Sequence, residues 1–462
     1  MPKILILIRY GITARTLLRT SFLDSLLAAN IKVIVACPAF DEPKFLAEMT
    51  AKGVQLIPEP KLKKRLFERI YNAIANALCF EHPGTTKTLT MKWLHEGLIK
   101  PENPYKLRIF DFLFRGLMGV LNLHRSRKLR QLLLKLDPLF CKHPEIENLF
   151  DEVKPDLFFS PYPFEPDAHY IAEAKKRGIP AIGAVKSWDN LTSKIRVACE
   201  PDHWIAWSPQ MKKEAVQYHY VDPEKIEITG TPQFDFYFNA QKFLPRDSFF
   251  KKMNIDPQKK LIVYSPGTSW TYSDEANLRM IHSIIMNTDF PYKCHLHIRK
   301  YPKSSVEYSS ITNELGITVE DSGSVVPQWT DRIDQSPKDL EHLRQLMHFS
   351  DIVIQVSSSI AVDAACEDTP CIAYHLDKYD KVVPWAHRAK RCYSSEHNQL
   401  LIKAGGMRVV ETKNELKYWL LQYLEYPETD SEGRKSIVSN ILWNTDGQAG
   451  NRLAKALMNW LP

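Results

Sequence analysis

The 462-residue chain is 44% hydrophobic and 25% charged, an ordinary composition for a soluble globular protein, and it is long enough that two domains are expected rather than one. No stretch reaches the roughly 18 uninterrupted apolar residues that a spanning helix needs. The opening MPKILILIRY reads as no signal peptide, because its apolar run ends at Arg9. Eight cysteines without CxxC spacing read as reduced and mostly buried, which suits the cytoplasm. The net charge of +7 is unevenly placed: 17 Lys and Arg face 8 Asp and Glu between Lys61 and Phe150, against 44 and 46 elsewhere. The basic character belongs to one segment.

In chain order, Lys3 to Ile8 is a buried-type strand and Tyr10 to Thr13 a turn. Thr16 to Ala29 has helical spacing, with Leu18, Phe22, Leu23, Leu26 and Leu27 on one face. Ile31 to Cys37 and Val54 to Ile57 are the next strands, the opening of a doubly wound α/β domain. Arg9 and Arg15, in and after the first loop, either face a ligand at the sheet edge or are solvated. No GxGxxG is present, so a dinucleotide fingerprint is absent.

From Lys61 the alternation stops. Leu62, Leu66, Ile70, Ile74 and Leu78 recur every fourth residue beside Phe67 and Tyr71, with Lys63, Lys64, Arg65 and Arg69 largely elsewhere on the helix. Leu107 to Leu123 is almost continuously apolar, and HRSRKLRQLLLKL follows. Such a basic, apolar helical insertion suits an anionic membrane surface; the plainer alternative is a packed insertion with solvated charges. Nucleic acid is disfavoured, because no recognised binding motif accompanies the charge.

The alternation resumes with strands at Asp156 to Ser160 and Ala181 to Val185, and a helix from about Ala168 to Arg177 between them. After the second strand comes Lys186-Ser187-Trp188-Asp189-Asn190-Leu191-Thr192-Ser193-Lys194. Polar, aromatic and charged groups at a strand's carboxyl end mark the ligand edge of an open α/β sheet, although an Asx turn at Asp189 or Asn190 explains the composition as well. His203 to Trp207, a helix from Pro209 to Tyr218 and Ile226 to Thr229 complete this domain. About twenty polar, irregular residues then read as a domain connection.

A second alternating domain begins after Lys260. Leu261 to Ser265 runs into Gly267-Thr268, and Cys294 to Ile298 runs into Arg299-Lys300. Glu275 to Met286 is a helix, Val325 to Trp329 a short strand, and Asp339 to His348 another helix. Ile352 to Val356 leads through Ser357, Ser358 and Ser359 into a helix near Ile360, and Pro370 to Tyr374 closes a βαβ unit. The helix N-terminus, with unpaired amides, a positive dipole and serine hydroxyls, suits a phosphate; alternatively the serines only cap the helix. One sheet edge would then collect amides, hydroxyls and two cations, a set that suits a diphosphate. His295 and His297 share a strand face, but no third ligand follows nearby and no metal is expected.

The order of segments resembles the two-Rossmann glycosyltransferase architecture called GT-B, in particular CDP-glycerol glycerophosphotransferases and the sugar transferases of bacterial surface polysaccharides. GTPQFD at 230–235, HIRKYP at 297–302, SDIVIQVSSSIAVDAA at 350–365 and DGQAGNRLAKAL at 446–457 carry the resemblance. It implies two Rossmann-like domains facing across a cleft, with an acceptor domain over 1–238 and its basic helical insertion at about 61–150. A linker over 239–258 and a donor domain over 259–462 would follow, the terminal helix lying on the donor domain or crossing back. It places donor phosphates on Ser357, Ser358 and Ser359 near Gly267, Thr268, Arg299 and Lys300, and matches Asp363 to an aspartate of the family. The family's His-Gly-Thr-Pro is replaced by Ser187-Trp188-Asp189-Asn190, which leaves Asp189 as base beside Trp188 and Asn190, with Glu165, Asp167 and His169 as rivals. Lys186, Lys194 and Glu165 would meet the acceptor.

The activity implied is transfer of a sugar-like group from a nucleotide sugar or CDP-alditol to a lipid-linked or surface-polysaccharide acceptor. It would proceed without metal or cofactor, on the cytoplasmic membrane surface. Alternatives are a nucleotide-sugar 2-epimerase and a non-catalytic nucleotide-sugar-binding subunit of polysaccharide assembly.

Overall fold

Aliphatic runs such as KILIL, KVIVAC and IVIQ are buried along nearly their whole length, the pattern of strands covered on both faces. They build two parallel sheets in a computed structural model that describes residues 1–63, 65–78, 127–193, 196–239, 243–267, 274–287, 289–301, 307–374 and 392–461. Contacts divide the chain into two units. Unit 1 comprises Met1–Arg9, Thr16–Pro232 and Gln448–Pro462; unit 2 comprises Tyr10–Arg15 and Gln233–Gly447.

Unit 1 holds seven strands, β1 (Lys3–Leu7), β2 (Lys32–Cys37), β3 (Gln55–Pro58), β4 (Leu157–Ser160), β5 (Ala181–Ala184), β6 (His203–Ala206) and β7 (Ile226–Ile228). Their order is β3-β2-β1-β4-β5-β6-β7, every neighbouring pair parallel. The helix Ala449–Met458 packs on Ser21–Ala28, so closely that a Cβ on Gly450 would lie 2.8 Å from the Phe22 backbone nitrogen.

Two local expectations change here. The single helix expected over Thr16 to Ala29 is two, Gly11–Leu18 and Ser21–Ala28. They part at Thr20, whose backbone is extended (φ −136°) and whose hydroxyl donates back to the Thr16 carbonyl at 2.9 Å. The residues expected as a turn, Tyr10 to Thr13, lead into and begin the first of these helices. Its leading amides, Gly11 and Ile12, donate to the Asp331 carboxylate at 2.8 and 3.2 Å, a cap supplied from more than 300 residues away.

Of the basic stretch, the helices Leu66–Leu78 and Arg127–Phe140 are described, whereas Leu107 to Leu123 lies outside the described residues. The first is built inside out. Glu68 and Ala75 are buried and Tyr71 stacks on Phe140 (3.9 Å), while Leu66, Phe67 and Ile70 are 67%, 78% and 47% exposed. The fourth-residue apolar stripe, over these described positions, faces water.

Unit 2 holds β8 (Lys260–Ser265), β9 (Cys294–Arg299), β10 (Thr318–Glu320), β13 (Ile352–Gln355), β14 (Cys371–Tyr374) and β15 (Arg408–Val410), in the parallel order β10-β9-β8-β13-β14-β15. A separate antiparallel pair joins β11 (Ser324–Val325) to β12 (Ile333–Asp334). Of the strand expected over Val325 to Trp329 only Val325 is in β11, because Val326 to Arg332 closes a turn that buries Trp329. The stretch expected as an irregular connection contains the helix Arg246–Lys252, anchored by buried Phe249 and Phe250. Ser336 and Asp339 form a capping box that starts the helix Pro337–Phe349.

None of the seven cysteines among the described residues is in a disulfide, and five are buried. None of the described helices is long and apolar enough to cross a membrane.

Candidate functional site

Strand order reverses once in each sheet, between β8 and β13 in unit 2 and between β1 and β4 in unit 1. Open parallel sheets bind ligands outside the carboxyl ends of strands at such a reversal. In unit 2 the loops there carry residues singled out from sequence. Gly267 follows β8, Arg299 ends β9 with Lys300 after it, and Ser357, Ser358 and Ser359 follow β13, so three adjacent strands present them at one edge. Thr268 lies outside the described residues.

The serine turn is more constrained than the sequence suggests. Ser357 takes a left-handed conformation (φ 46°), and its amide donates to the Tyr393 phenol at 3.1 Å. The Ser358 amide donates to the Gln355 side chain at 2.6 Å, and the Ile360 amide to the Ser358 hydroxyl at 3.3 Å. These amides, expected to be unpaired, are already engaged, and the helix Ile360–Cys366 is short. What the turn offers outward is hydroxyl groups. The Ser357 oxygen is itself oriented by Asn398 at 3.2 Å, and Ser359 is exposed. Tyr393, Gln355 and Asn398 escape sequence reasoning, because only the fold brings Tyr393 and Asn398 to the turn.

Arg299 is buried and paired with Glu320, its direct partner across the β9–β10 register. Glu320 also accepts from His342 at 2.6 Å and lies 3.4 Å from His297. Burial alone would raise its pKa, but His297, His342 and Arg299 outweigh it and hold the carboxyl far below its ordinary 4.5. Lys300 reaches Asp321 at 3.1 Å. His295 and His297 both contact the Thr318 hydroxyl at 2.8 Å, so this pair is spent within the sheet.

Stability should therefore fall in two steps on acidification. Burial, then the neighbouring charges of His297 and Lys259, lower His295 from 6.5 to about 4. The unfolded chain takes up that proton first, and stability drains as pH drops across this window. Glu320 adds a second loss below 4.5, where the unfolded carboxyl protonates and the folded one does not. In urea unfolding at a series of pH values, His295→Gln should flatten the upper limb and Glu320→Gln the lower one. Limbs unchanged by these variants would refute the assignment.

A charged group lies at the same edge. Asp363 accepts from the Tyr237 hydroxyl at 2.8 Å. Burial raises its pKa, against the Tyr237 hydrogen bond and the positive charges of Arg15 and Arg299. Burial also lowers the pKa of Arg15, whose guanidinium donates to Gln335 at 2.6 Å and whose Nε is buried without a partner. A carboxyl lifted by burial and joined to a phenol is equipped to hold and exchange a proton. Asp363 was marked from sequence only by resemblance, and Tyr237 was not marked.

In unit 1 the loops at the carboxyl ends of β4 and β5 carry Glu165 and Lys186 to Asn190. Lys186 places its ammonium 5.2 Å from the Tyr162 ring. Asp189 is half-buried at the start of the helix Asn190–Ser193. Its carboxylate accepts from the side chains of Asn190 and Ser193, each at 3.2 Å, which holds it at the start of this helix. Asn190 is buried and Trp188 half-buried, while Lys194 lies outside the described residues. Glu165 accepts from Asn72 and stays half-buried. The rivals Asp167 and His169 are buried: Asp167 is ion-paired with Arg9 and accepts from Ser160 at 2.7 Å, and His169 faces Glu68 at 3.3 Å. Arg9 is thus committed within unit 1 rather than solvated.

No family model and no curated protein matches this sequence. Solved structures match along the whole chain. The S. aureus MnaA–UDP co-structure superposes with a TM-score of 0.55 at 13% identity, covering 100% of this chain and 97% of that one. UDP-GlcNAc 2-epimerase from Neisseria meningitidis bound to UDP-GlcNAc gives 0.54 at 11%, covering 99% and 100%. The chain has the GT-B fold. A glycosyltransferase from Rickettsia africae ESF-5 superposes with a TM-score of 0.51 at 10% identity, covering 99% of this chain and 98% of that one. At these identities the likeness concerns the fold.

Proposed function

We propose that this protein is a transferase that moves a sugar-like group from a nucleotide-activated donor. The observation that carries this reading is the edge of unit 2 where β8, β9 and β13 end together. There Gly267 and the hydroxyls of Ser357, Ser358 and Ser359 flank the strand-order reversal, in a fold shared with proteins whose structures hold UDP or UDP-GlcNAc. Because Arg299 is neutralised by Glu320 and the first amides of the turn are engaged, oriented hydroxyl dipoles and Arg15 would stabilise the departing diphosphate. Arg299 would act by positioning Glu320 and by its charge toward Asp363. Asp189 would accept the proton of the attacking acceptor hydroxyl, with Lys186 drawing a phosphorylated or acidic acceptor. The resemblance of HIRKYP and SDIVIQVSSSIAVDAA extends the donor class to CDP-alditols. No step in this scheme calls on a metal or cofactor.

A panel of nucleoside diphosphates and their sugars tests the donor site. A ligand at a hundred times its Kd stabilises the folded state by about 2.7 kcal/mol, so the true donor should raise the unfolding midpoint and unrelated nucleotides should not. If no nucleotide moves the midpoint, the donor site is wrong.

One observation favours a second reading. The buried Asp363–Tyr237 pair, with the charges of Arg15 and Arg299 acting on it, offers proton-handling groups of the kind a nucleotide-sugar 2-epimerase would use. Products separate the two: free nucleoside diphosphate in the presence of acceptor supports transfer, and isomerised nucleotide sugar supports epimerisation. Binding without turnover supports a non-catalytic subunit.

A peripheral place on the cytoplasmic membrane surface completes the proposal. Leu66, Phe67 and Ile70 are exposed beside Lys63, Arg65 and Arg69. The protein should co-sediment with anionic vesicles at low salt and not with neutral ones. Phe67→Glu combined with Ile70→Glu should abolish this, and failure of the wild type to co-sediment removes the membrane from the account.

A further inference from the structure

We propose that Glu68, His143 and His169 form a buried metal site of the zinc class in unit 1, which pins the helix Leu66–Leu78 to the sheet domain. The three residues come from three elements. Glu68 lies in the first turn of Leu66–Leu78, His143 is the N-cap residue of Pro144–Val153, and His169 lies in Asp167–Lys176. Their exposures are 3%, 3% and 1%.

The interior gives these groups little else to do. The His143 side chain makes no capping hydrogen bond, although it occupies the capping position. Among the described residues Glu68 Oε1 and His143 Nε2 are buried without a hydrogen-bond partner, as is His169 Nδ1, the ring nitrogen other than the one nearest Glu68. Among the described residues no Lys or Arg pairs with Glu68; its Oε2 accepts only a long bond from the Arg65 amide, 3.3 Å. A carboxylate and two imidazoles left in this condition need a cation, since buried charge is paired or metal-bound.

The spacing fits a shared ion better than hydrogen bonds. His169 Nε2 is 3.3 Å from Glu68 Oε1, and His143 Nε2 is 3.5 Å from Glu68 Oε2. Good N–H···O bonds span roughly 2.7 to 3.2 Å. Tetrahedral ligands at about 2.0–2.1 Å from a zinc ion stand about 3.3 Å from one another. The donor atoms of all three residues lie within 4.8 Å of one another.

A candidate fourth donor lies outside this group and would have to move toward it to bind. Cys141 stands two residues before His143, its thiol within hydrogen-bonding reach of His169 and 3.6 Å from the sulfur of Cys199. A set of nitrogen, carboxylate and thiolate donors suits Zn²⁺ and not the oxygen-preferring Mg²⁺ or Ca²⁺. The burial of every ligand makes the site structural, so it is independent of the transfer or epimerisation proposed above.

The test uses the full chain. Metal analysis of the purified protein is expected to find about one zinc per chain, the occupancy of a closed structural site. Chelation should lower the unfolding midpoint, and Zn²⁺ alone should restore it. Co²⁺ in its place should show the visible bands of tetrahedral coordination with a thiolate charge-transfer band that Cys141→Ser removes. His143→Gln and Glu68→Gln should each weaken zinc binding by more than the roughly ten- to hundredfold typical of losing an outer hydrogen-bond partner. If His143→Gln does not fold, Glu68→Gln and zinc titration of the chelated wild type decide. A wild type that takes up no zinc, with a midpoint indifferent to chelator and Zn²⁺, overturns the proposal. So does undiminished uptake by both variants. A charge-transfer band that survives Cys141→Ser overturns the fourth ligand.

Discussion

Asp189→Asn is expected to cut group transfer by about 10²–10⁴-fold, the usual contribution of a positioned general base, while donor binding survives. The substitution keeps the side chain's shape, so its oxygen can still accept from Ser193 and the short helix Asn190–Ser193 keeps its start. What it removes is the capacity to take a proton. Nucleoside diphosphate release in the presence of acceptor measures the first quantity, and nucleotide protection against unfolding the second. Of the rivals, Asp167 is committed to Arg9 and His169 is buried against Glu68, which leaves Glu165 as the group to substitute in parallel. Unchanged turnover in Asp189→Asn with loss in Glu165→Gln would move the base to the loop after β4. Equal loss of stability and turnover in Asp189→Asn would reduce Asp189 to a turn former.

Arg196→Met is expected to be the most damaging single change to stability in unit 1. Arg196 holds both oxygens of Asp137 at 2.6 and 2.7 Å, with both side chains buried, and the Tyr71 hydroxyl adds a third bond at 2.7 Å. Burial already raises the Asp137 pKa against the pull of Arg196. Removing the cation leaves a carboxyl buried beside a phenol, a loss on the order of 3–5 kcal/mol for a broken buried pair. Because Asp137 lies in Arg127–Phe140 and Tyr71 in Leu66–Leu78, the earliest unfolding transition should carry the loss. Replacing Asp137 by Leu in the same chain should recover most of it, since an apolar pair of similar volume avoids the desolvation cost. A cost for Arg196→Met alone within the range of a surface substitution, about 0.5 kcal/mol, would show that Asp137 has another partner.

Sequence periodicity was enough for the two sheets. Runs such as KVIVAC and IVIQ are too apolar for anything but strands covered on both faces, and their alternation with helices implied parallel order. It also located the strand-end loops, because position after a strand is a local property. Partners across the sheet are not local. Arg299 reads as a free cation in HIRKYP, yet β9 and β10 pair in the register that puts Glu320 directly opposite. The serine turn reads as a set of open amides, yet Tyr393 returns from 36 residues away to take one of them. The apolar stripe through Leu66 and Ile70 was legible, but its direction was not: burial of Glu68 and Ala75 decided it, while Leu62, before the helix, packs on the core. Glu68, His143 and His169 have no motif spacing, because a site assembled from three helices leaves none.

The helix Ala449–Met458 packs on Ser21–Ala28, and Arg452 donates to the Thr229 carbonyl at 2.8 Å, so unit 1 is assembled from segments at both extremes of the sequence. All the residues of unit 2 precede Gln448, whereas the helix Ala449–Met458 belongs to unit 1. A cut before Ala449 would therefore leave every residue of unit 2 in place and take from unit 1 the helix that packs on Ser21–Ala28.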